Sequence, residues 1–257
     1  NERVTQVGDY VFRVCFIDPF QGEVLAKFAY NDLKARKVAV LKDIQQDYSV
    51  GLTDSIQKTF TSLGGQVLDP VSYSSGDADF RAILTQVRAQ KPDAVFATGY
   101  YPEAAIIVRQ ARELGMNMPM LGGDGWVGDA LKNGREALMN TFISNHYSGD
   151  NPDPLVQNFK KAYRAKFNRE PDSIAALGYD AARVLADSIT RAGSTDGPKV
   201  RAAIAASSKA EAVRQAFRLA VLRNDVQAAR AALSAVDSFP AGLFLYEQGW
   251  LLARAAG

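Results

Sequence analysis

Lys37-Val-Ala-Val-Leu41, Gln66-Val-Leu-Asp-Pro70, Asp93-Ala-Val-Phe-Ala97 and Pro119-Met-Leu-Gly122 are short apolar runs, each released by a polar or glycine-rich turn. The turns are Asp43-Ile-Gln-Gln-Asp-Tyr48, Ser72-Tyr-Ser-Ser-Gly-Asp77, Thr98-Gly-Tyr-Tyr-Pro-Glu103 and Gly122-Gly-Asp-Gly-Trp126. Helical patterns separate the runs, and strands alternating with helices predict a parallel sheet with right-handed crossovers. In such a sheet every strand-to-helix turn emerges at the carboxyl edge, where open α/β sheets hold their ligands. Tyr48, Tyr100 and Asp124, far apart along the chain, are therefore expected at one rim.

Outward from this stretch, Asp18-Pro19 predicts a helix start with Asp18 as N-cap and a helix to about Ala35. Further helices are expected from Ser49 to a Gly64-Gly65 cap, over Ala78–Gln90 and from Pro102 to Gly115. Thr141-Phe-Ile-Ser-Asn-His-Tyr147 reads as a strand, and Ser148-Gly-Asp-Asn-Pro-Asp-Pro154 as a linker rich in turn formers. Helices follow over Pro154–Phe167, Ser173–Ala192 and Pro198–Ala205. Past Ser207 come three alanine-rich amphipathic segments, Glu211–Leu222, Val226–Val236 and Ala241–Ala255, a helical tail whose spacing faintly suggests a helical-repeat hairpin open to a helical partner. The segments divide as 1–36 (crossover and first helix), 37–147 (ligand-binding α/β lobe), 148–206 (further helices) and 207–257 (tail).

Composition narrows the function classes. At 257 residues, with 47% hydrophobic and 23% charged residues, the chain can bury a sizeable core in one or two domains. A net charge of +2 without Lys/Arg clusters gives no footprint for nucleic acid. No apolar run reaches the length of a membrane span, so no membrane insertion is expected. The single cysteine, Cys15, excludes an internal disulfide and a cysteine zinc cage, and in the strand-like run Tyr10–Phe16 it reads as a buried, inert thiol.

Asp124 stands among Gly122, Gly123 and Gly125, which let backbone approach a ligand closely; it is either an ammonium partner or the acceptor of a local turn. Tyr48 either contacts a ligand or shields a helix start. Of the adjacent Tyr100 and Tyr101, one can face the crevice while the other packs. Trp126 either walls the site or anchors the core. A phosphate cradle does not fit, because Gly-x-Gly-x-x-Gly spacing is absent and Asp124 would repel an anion. The sole histidine, His146, reads as a satisfied structural residue in an apolar strand. No nucleophile elbow or metal-binding helix motif appears, so reversible binding without cofactor or metal, rather than catalysis, is expected.

Taken together and in order, Tyr10-Val-Phe-Arg-Val-Cys-Phe-Ile-Asp-Pro-Phe-Gln-Gly22, Asp47-Tyr-Ser-Val-Gly-Leu52, Thr98–Glu103 and Gly122–Gly125 resemble the branched-chain amino acid binding proteins. These are the type I periplasmic substrate-binding components of ABC transporters. The resemblance runs from Asn1 to about Ala206 and does not reach the tail. It implies an α/β fold of the type I periplasmic-binding-protein kind: one Rossmann-like parallel-sheet lobe, part of the helices of the other lobe, then an all-α tail. It also implies an amino acid or amide ligand, ABC permease subunits as partners and an extracytoplasmic, periplasmic setting. Asp124 would pair with the ligand ammonium where the family often carries Glu, and Tyr48 and Tyr100 would close over the ligand. A ligand-sensing domain of a receptor or transcriptional regulator is the alternative that the same fold serves.

The resemblance further implies that the chain opens just after the first-lobe segment that receives the ligand carboxylate. Two expectations follow. The chain alone should bind leucine-like amino acids weakly or not at all, since an ion pair on one solvated wall is worth about 0–1 kcal/mol. The helices over 154–192 should show an exposed apolar face, which the tail would cover.

Overall fold

The computed structural model describes residues 2–127, 138–206 and 253–254. They fall into two compact units: one contains residues 15–148 and the described residues before 12, the other residues 12–14 and 149–206.

In the first unit, β1 (Lys37–Asp43), β4 (Ala94–Ala97), β5 (Met120–Gly122) and β6 (Thr141–Ile143) lie side by side in parallel. On the other side of β1 lie β2 (Gln66–Val67) and β3 (Val71–Tyr73), again parallel. The expected run Gln66–Pro70 thus breaks into two pieces, and part of the expected turn, Ser72–Tyr73, is strand. Pro70 explains the gap, since it has no N–H to donate to a ladder.

Alternation along the strands assigns the helices to faces. Val38, Val40, Ala94 and Phe96 pack with Leu25, Ala26 and Ala29 of α1 (Asp18–Asn31) and Leu52, Ile56 and Phe60 of α2 (Asp47–Ser62). Ala39, Leu41, Val95 and Ala97 point the other way, onto Leu84 and Val87 of α3 (Arg81–Ala89) and Ile107, Val108 and Ala111 of α4 (Tyr101–Glu113). The period of two in a strand sends neighbouring side chains to opposite faces, so a sheet covered on both sides needs continuous apolar runs. Ala94–Ala97 is buried at every position.

Three expectations are corrected in this unit. Tyr10–Phe16 is not a strand, and Cys15 is exposed rather than buried, because the segment pairs with no strand among the described residues. Asp18 is not the N-cap: Ile17 is, and Asp18 sits buried in the first turn, where a carboxylate favours the positive end of the helix dipole. The strand expected over Thr141–Tyr147 ends at Ile143.

The second unit contains α5 (Pro154–Phe167), α6 (Ser173–Ala192) and α7 over residues 197–206. Asp153 and Asp172 cap α5 and α6 by accepting from Leu155 and Ala175 N–H. Each of these helices ends on a left-handed residue, Asn168 and Gly193. Phe159 packs against Tyr163 and Tyr179, while Phe167, Ile174, Tyr179 and Leu185 are exposed. The expected tail helices lie outside the described residues, except that Ala253–Arg254 pair antiparallel with β6 as β7. Those two residues are strand where helix was expected; β6 would otherwise present an unpaired edge.

Candidate functional site

Four strand exits converge at the carboxyl edge of the sheet. β1 leaves through Asp43 into the first turn of α2, which carries Tyr48. β4 leaves through Thr98 and Gly99 into Tyr100, the residue preceding α4. β5 leaves through Gly123 into a short 3-10 turn, Asp124–Trp126. β6 leaves through Ser144 towards His146.

Buried hydroxyls lock these exits together. Asp43 N–H donates to Ser49 Oγ at 2.9 Å, Ser49 and Thr98 hydroxyls meet at 2.7 Å, and Thr53 and Thr98 at 2.9 Å. The start of α2 is thereby pinned to the end of β4, and with it Tyr48 to Tyr100. Their ring centroids stand 5.1 Å apart at an interplanar angle of 32°. Tyr100 and Tyr101 are both exposed, so Tyr101 does not pack into the core.

Asp124 lies at the centre. Its Oδ1 accepts from Gln21 Nε2 at 2.8 Å and from the Tyr48 hydroxyl at 3.0 Å; its Oδ2 is 2.9 Å from His146 Nε2. Gln21 Oε1 also lies 3.0 Å from the Tyr48 hydroxyl and shares its single proton with Asp124, closing a triangle of three side chains. Burial is the largest single influence on Asp124 and opposes its ionisation, but the hydrogen bonds and charge of His146, with the bonds from Gln21 and Tyr48, outweigh it. The net effect holds the carboxyl below its usual value. Burial, reinforced by the Asp124 charge, pushes the Tyr48 phenol well above its usual range. Tyr100 moves the same way, through burial first and then Asp124, Asp18 and Asp43. The rim is a negative, aromatic-walled surface suited to a cationic group.

The glycines here are spatial necessities. A Cβ on Gly123 would lie 2.0 Å from the Tyr48 hydroxyl oxygen, and one on Gly125 would lie 3.1 Å from the Tyr100 ring.

Of the residues expected at the site, Tyr48, Tyr100 and Asp124 are brought together. Trp126 is not at the surface: it is 1% exposed, and its indole N–H donates to Ala97 O at 2.9 Å. Its ring fills the space beside Gly122 and supports the turn under Asp124, so it is a core anchor rather than a ligand wall.

Sequence reasoning missed Gln21, Phe16 and His146. His146 is no satisfied strand residue. It lies beyond β6, 2% exposed, with one nitrogen on Asp124 and Nδ1 unpartnered among the described residues. Phe16 stacks on it, with centroids 3.6 Å apart at 27°. The available signals were a polar Gln21 on the buried stripe Gln21-Gly22-Leu25-Ala26-Ala29 of α1 and the isolation of the one histidine. Among the described residues no group of His, Cys, Asp and Glu is placed to hold a metal ion.

Comparison with known proteins extends this picture. The chain is 30% identical over 207 residues to a leucine-, isoleucine-, valine-, threonine- and alanine-binding protein of Pseudomonas aeruginosa, matching 77% of this chain and 53% of that one. The crystal structure of a leucine-binding protein from Thermotoga maritima superposes with a TM-score of 0.74 and 46% identity, over 79% of this chain and 59% of that one. A branched-chain amino acid transporter substrate-binding protein from Streptococcus pneumoniae, solved with isoleucine, gives a TM-score of 0.72 and 32% identity over 78% and 57%. The chain thus spans a little over half the length of these relatives. The family model described as periplasmic binding protein matches residues 2–236. The chain belongs to the periplasmic binding protein family, with the type I α/β fold.

Proposed function

We propose that this chain belongs to the solute-capture component of an ABC-type uptake system for branched-chain or related amino acids, working outside the cytoplasmic membrane with permease subunits as partners. The observation that carries the reading is the assembly of Tyr48, Tyr100 and Asp124 at one rim. An ionised carboxylate beside a pair of packed aromatic rings is the chemistry an α-ammonium needs. The Pseudomonas aeruginosa and Streptococcus pneumoniae relatives are named as amino acid binding or branched-chain amino acid substrate-binding proteins, which favours uptake over the sensing-domain alternative.

In this reading Asp124 takes the ammonium, while Tyr48 and Tyr100 cover the ligand's backbone and side chain. The site works by reversible binding. Asp124 is shorter by one methylene than the Glu often found in the family, and it is braced by Gln21, Tyr48 and His146, so its charge is fixed in place rather than carried out to the ligand on a flexible arm. The experiment is an NMR titration of the chain with L-leucine up to millimolar concentrations. Saturable shifts of the Tyr48 and Tyr100 ring resonances, abolished by Asp124→Ala, are expected; shifts that survive Asp124→Ala, or none at all, refute the reading.

A further inference from the structure

We infer that the carboxyl-terminal half of α5, with the turn after it, is a docking face for an anionic membrane surface: its cations take lipid phosphates while Phe167 enters the headgroup layer. The choice of a membrane rests on the proposed uptake role, which sets the chain beside membrane-bound permease subunits. The cationic face itself does not depend on the ligand rim.

The net charge of +2 hides a local excess. Lys160, Lys161, Arg164, Lys166 and Arg169 fall within ten residues, which corrects the expectation that the chain has no Lys/Arg cluster. α5 carries four of these cations and no carboxylate. Lys160, Arg164 and Phe167 follow one another at helical spacing, with Lys161 three residues before Arg164, so they share a face. An open hollow along that face is lined by Gln157, Lys160, Lys161, Arg164 and Ala165.

Helix-end chemistry accounts for only part of this. Arg164 and Lys166 stand in the last turn, where cations offset the helix dipole. Lys160 and Lys161 lie a turn earlier, beyond that effect's reach. Lys160 donates to Gly149 O at 2.6 Å, and Arg164 pairs with Glu170. That pair is exposed, so its attraction is small and leaves the face positive. Lys161, Lys166 and Arg169 are exposed as well. Against the five cations the same stretch sets only Glu170 and the cap residue Asp172.

The aromatic residues decide what kind of anion fits. Phe159, Tyr163 and Phe167 form a ladder along α5, with ring centroids 5.7 Å and then 4.5 Å apart. The ladder runs from a buried ring to Phe167, which is 51% exposed. Lys166 reaches over the Phe167 ring at 5.5 Å, and Arg169 over Tyr163 at 5.9 Å. A carboxylate-rich protein face answers the cations alone. A bilayer interface takes both, the cations at its phosphates and the bare ring at the acyl boundary.

The test is co-sedimentation of the full chain with vesicles, either of phosphatidylcholine alone or of an equal mixture with phosphatidylglycerol. Binding is expected to the mixed vesicles only. It should fall steeply as salt rises, since charges reach about 10 Å at 0.1 M and about 3 Å at 1 M. Each cation near such a surface contributes about fivefold in affinity, so the combined Lys161→Gln, Arg164→Gln and Lys166→Gln variant should bind about a hundredfold more weakly. Lys34→Gln, Lys58→Gln and Lys91→Gln together remove the same charge from exposed positions elsewhere and should bind nearly as well as the natural chain. Phe167→Ser should weaken binding severalfold. No binding to mixed vesicles, equal binding to both kinds, equal losses in the two triple variants, or undiminished binding by Phe167→Ser would overturn the proposal. Capture of poly-L-glutamate without capture of mixed vesicles would also overturn it and assign the face to an acidic protein. The leucine response of Tyr48 and Tyr100 is read separately and should survive in both triple variants, so failure here is distinguishable from failure of the uptake reading.

Discussion

Gly123→Ala is the sharpest probe of the rim. The added Cβ would stand 2.0 Å from the Tyr48 hydroxyl oxygen and 2.9 Å from Gln21 Oε1. Ordinary contact needs about 3.5 Å, so the hydroxyl has to move by about 1.5 Å, which breaks its bonds to Asp124 and Gln21. Losing a hydrogen bond to a charged group costs about 1.5–3 kcal/mol, and overpacking a tight site costs about 1–3 kcal/mol. With partial relaxation the variant should lose about 2–4 kcal/mol, read as a lower urea midpoint at unchanged slope. Tyr48→Phe removes the clashing oxygen and should cost about 1.5–3 kcal/mol alone, the value of its bond to the Asp124 carboxylate. Because the atoms next nearest to the Cβ belong to Gln21, the double variant should lose much less than the sum, with a coupling of at least about 1 kcal/mol. Additive losses within about 0.5 kcal/mol would show that Gly123 and Tyr48 do not meet as described.

Other outcomes follow from the same geometry. Trp126→Phe removes the donor to Ala97 O and should cost about 1–3 kcal/mol in denaturant while leaving the leucine response intact; a lost response at full stability would return Trp126 to the ligand wall. Because folding holds the Asp124 carboxyl below its usual value, its contribution to stability is complete above the unfolded value near 4 and disappears as pH falls through the folded one. Asp124→Asn should therefore be less stable than the natural chain at neutral pH, and the gap should narrow in acid unfolding; a constant gap would deny the linkage. Arg112 donates to the carbonyls of Met116, Met118, Met139 and Asn140, tying the loop before β5 to the approach to β6. Arg112→Ala should cost about 2–4 kcal/mol by thermal or urea unfolding, and Arg112→Lys should recover little, since an ammonium lacks the planar fork.

What could be read from the sequence follows a physical divide. Lys37–Leu41 and Asp93–Ala97 announce buried parallel strands because both of their faces are covered, and the turns after them must then share an edge. Tyr48, Tyr100 and Asp124 were legible for that reason alone. Gln21 and His146 were not, because nothing local reveals that α1 lies beside the rim or that the chain after β6 turns back to Asp124. Trp126 misled because a turn residue at the rim can point inward as easily as outward; the narrow space beside Gly122 decides it. Cys15 misled because its apolar neighbours imitate a strand, yet Tyr10, Val11 and Phe12 are exposed. Local composition predicts elements well where the sheet enforces it and poorly in segments that cross between units.

The most direct measurement is a crystal structure of the chain with L-leucine bound. The account predicts the ligand nitrogen within hydrogen-bonding distance of the Asp124 carboxylate, with the Tyr48 and Tyr100 rings against the rest of the molecule. Leucine seated away from Asp124, or with its carboxylate rather than its ammonium at that rim, would contradict it.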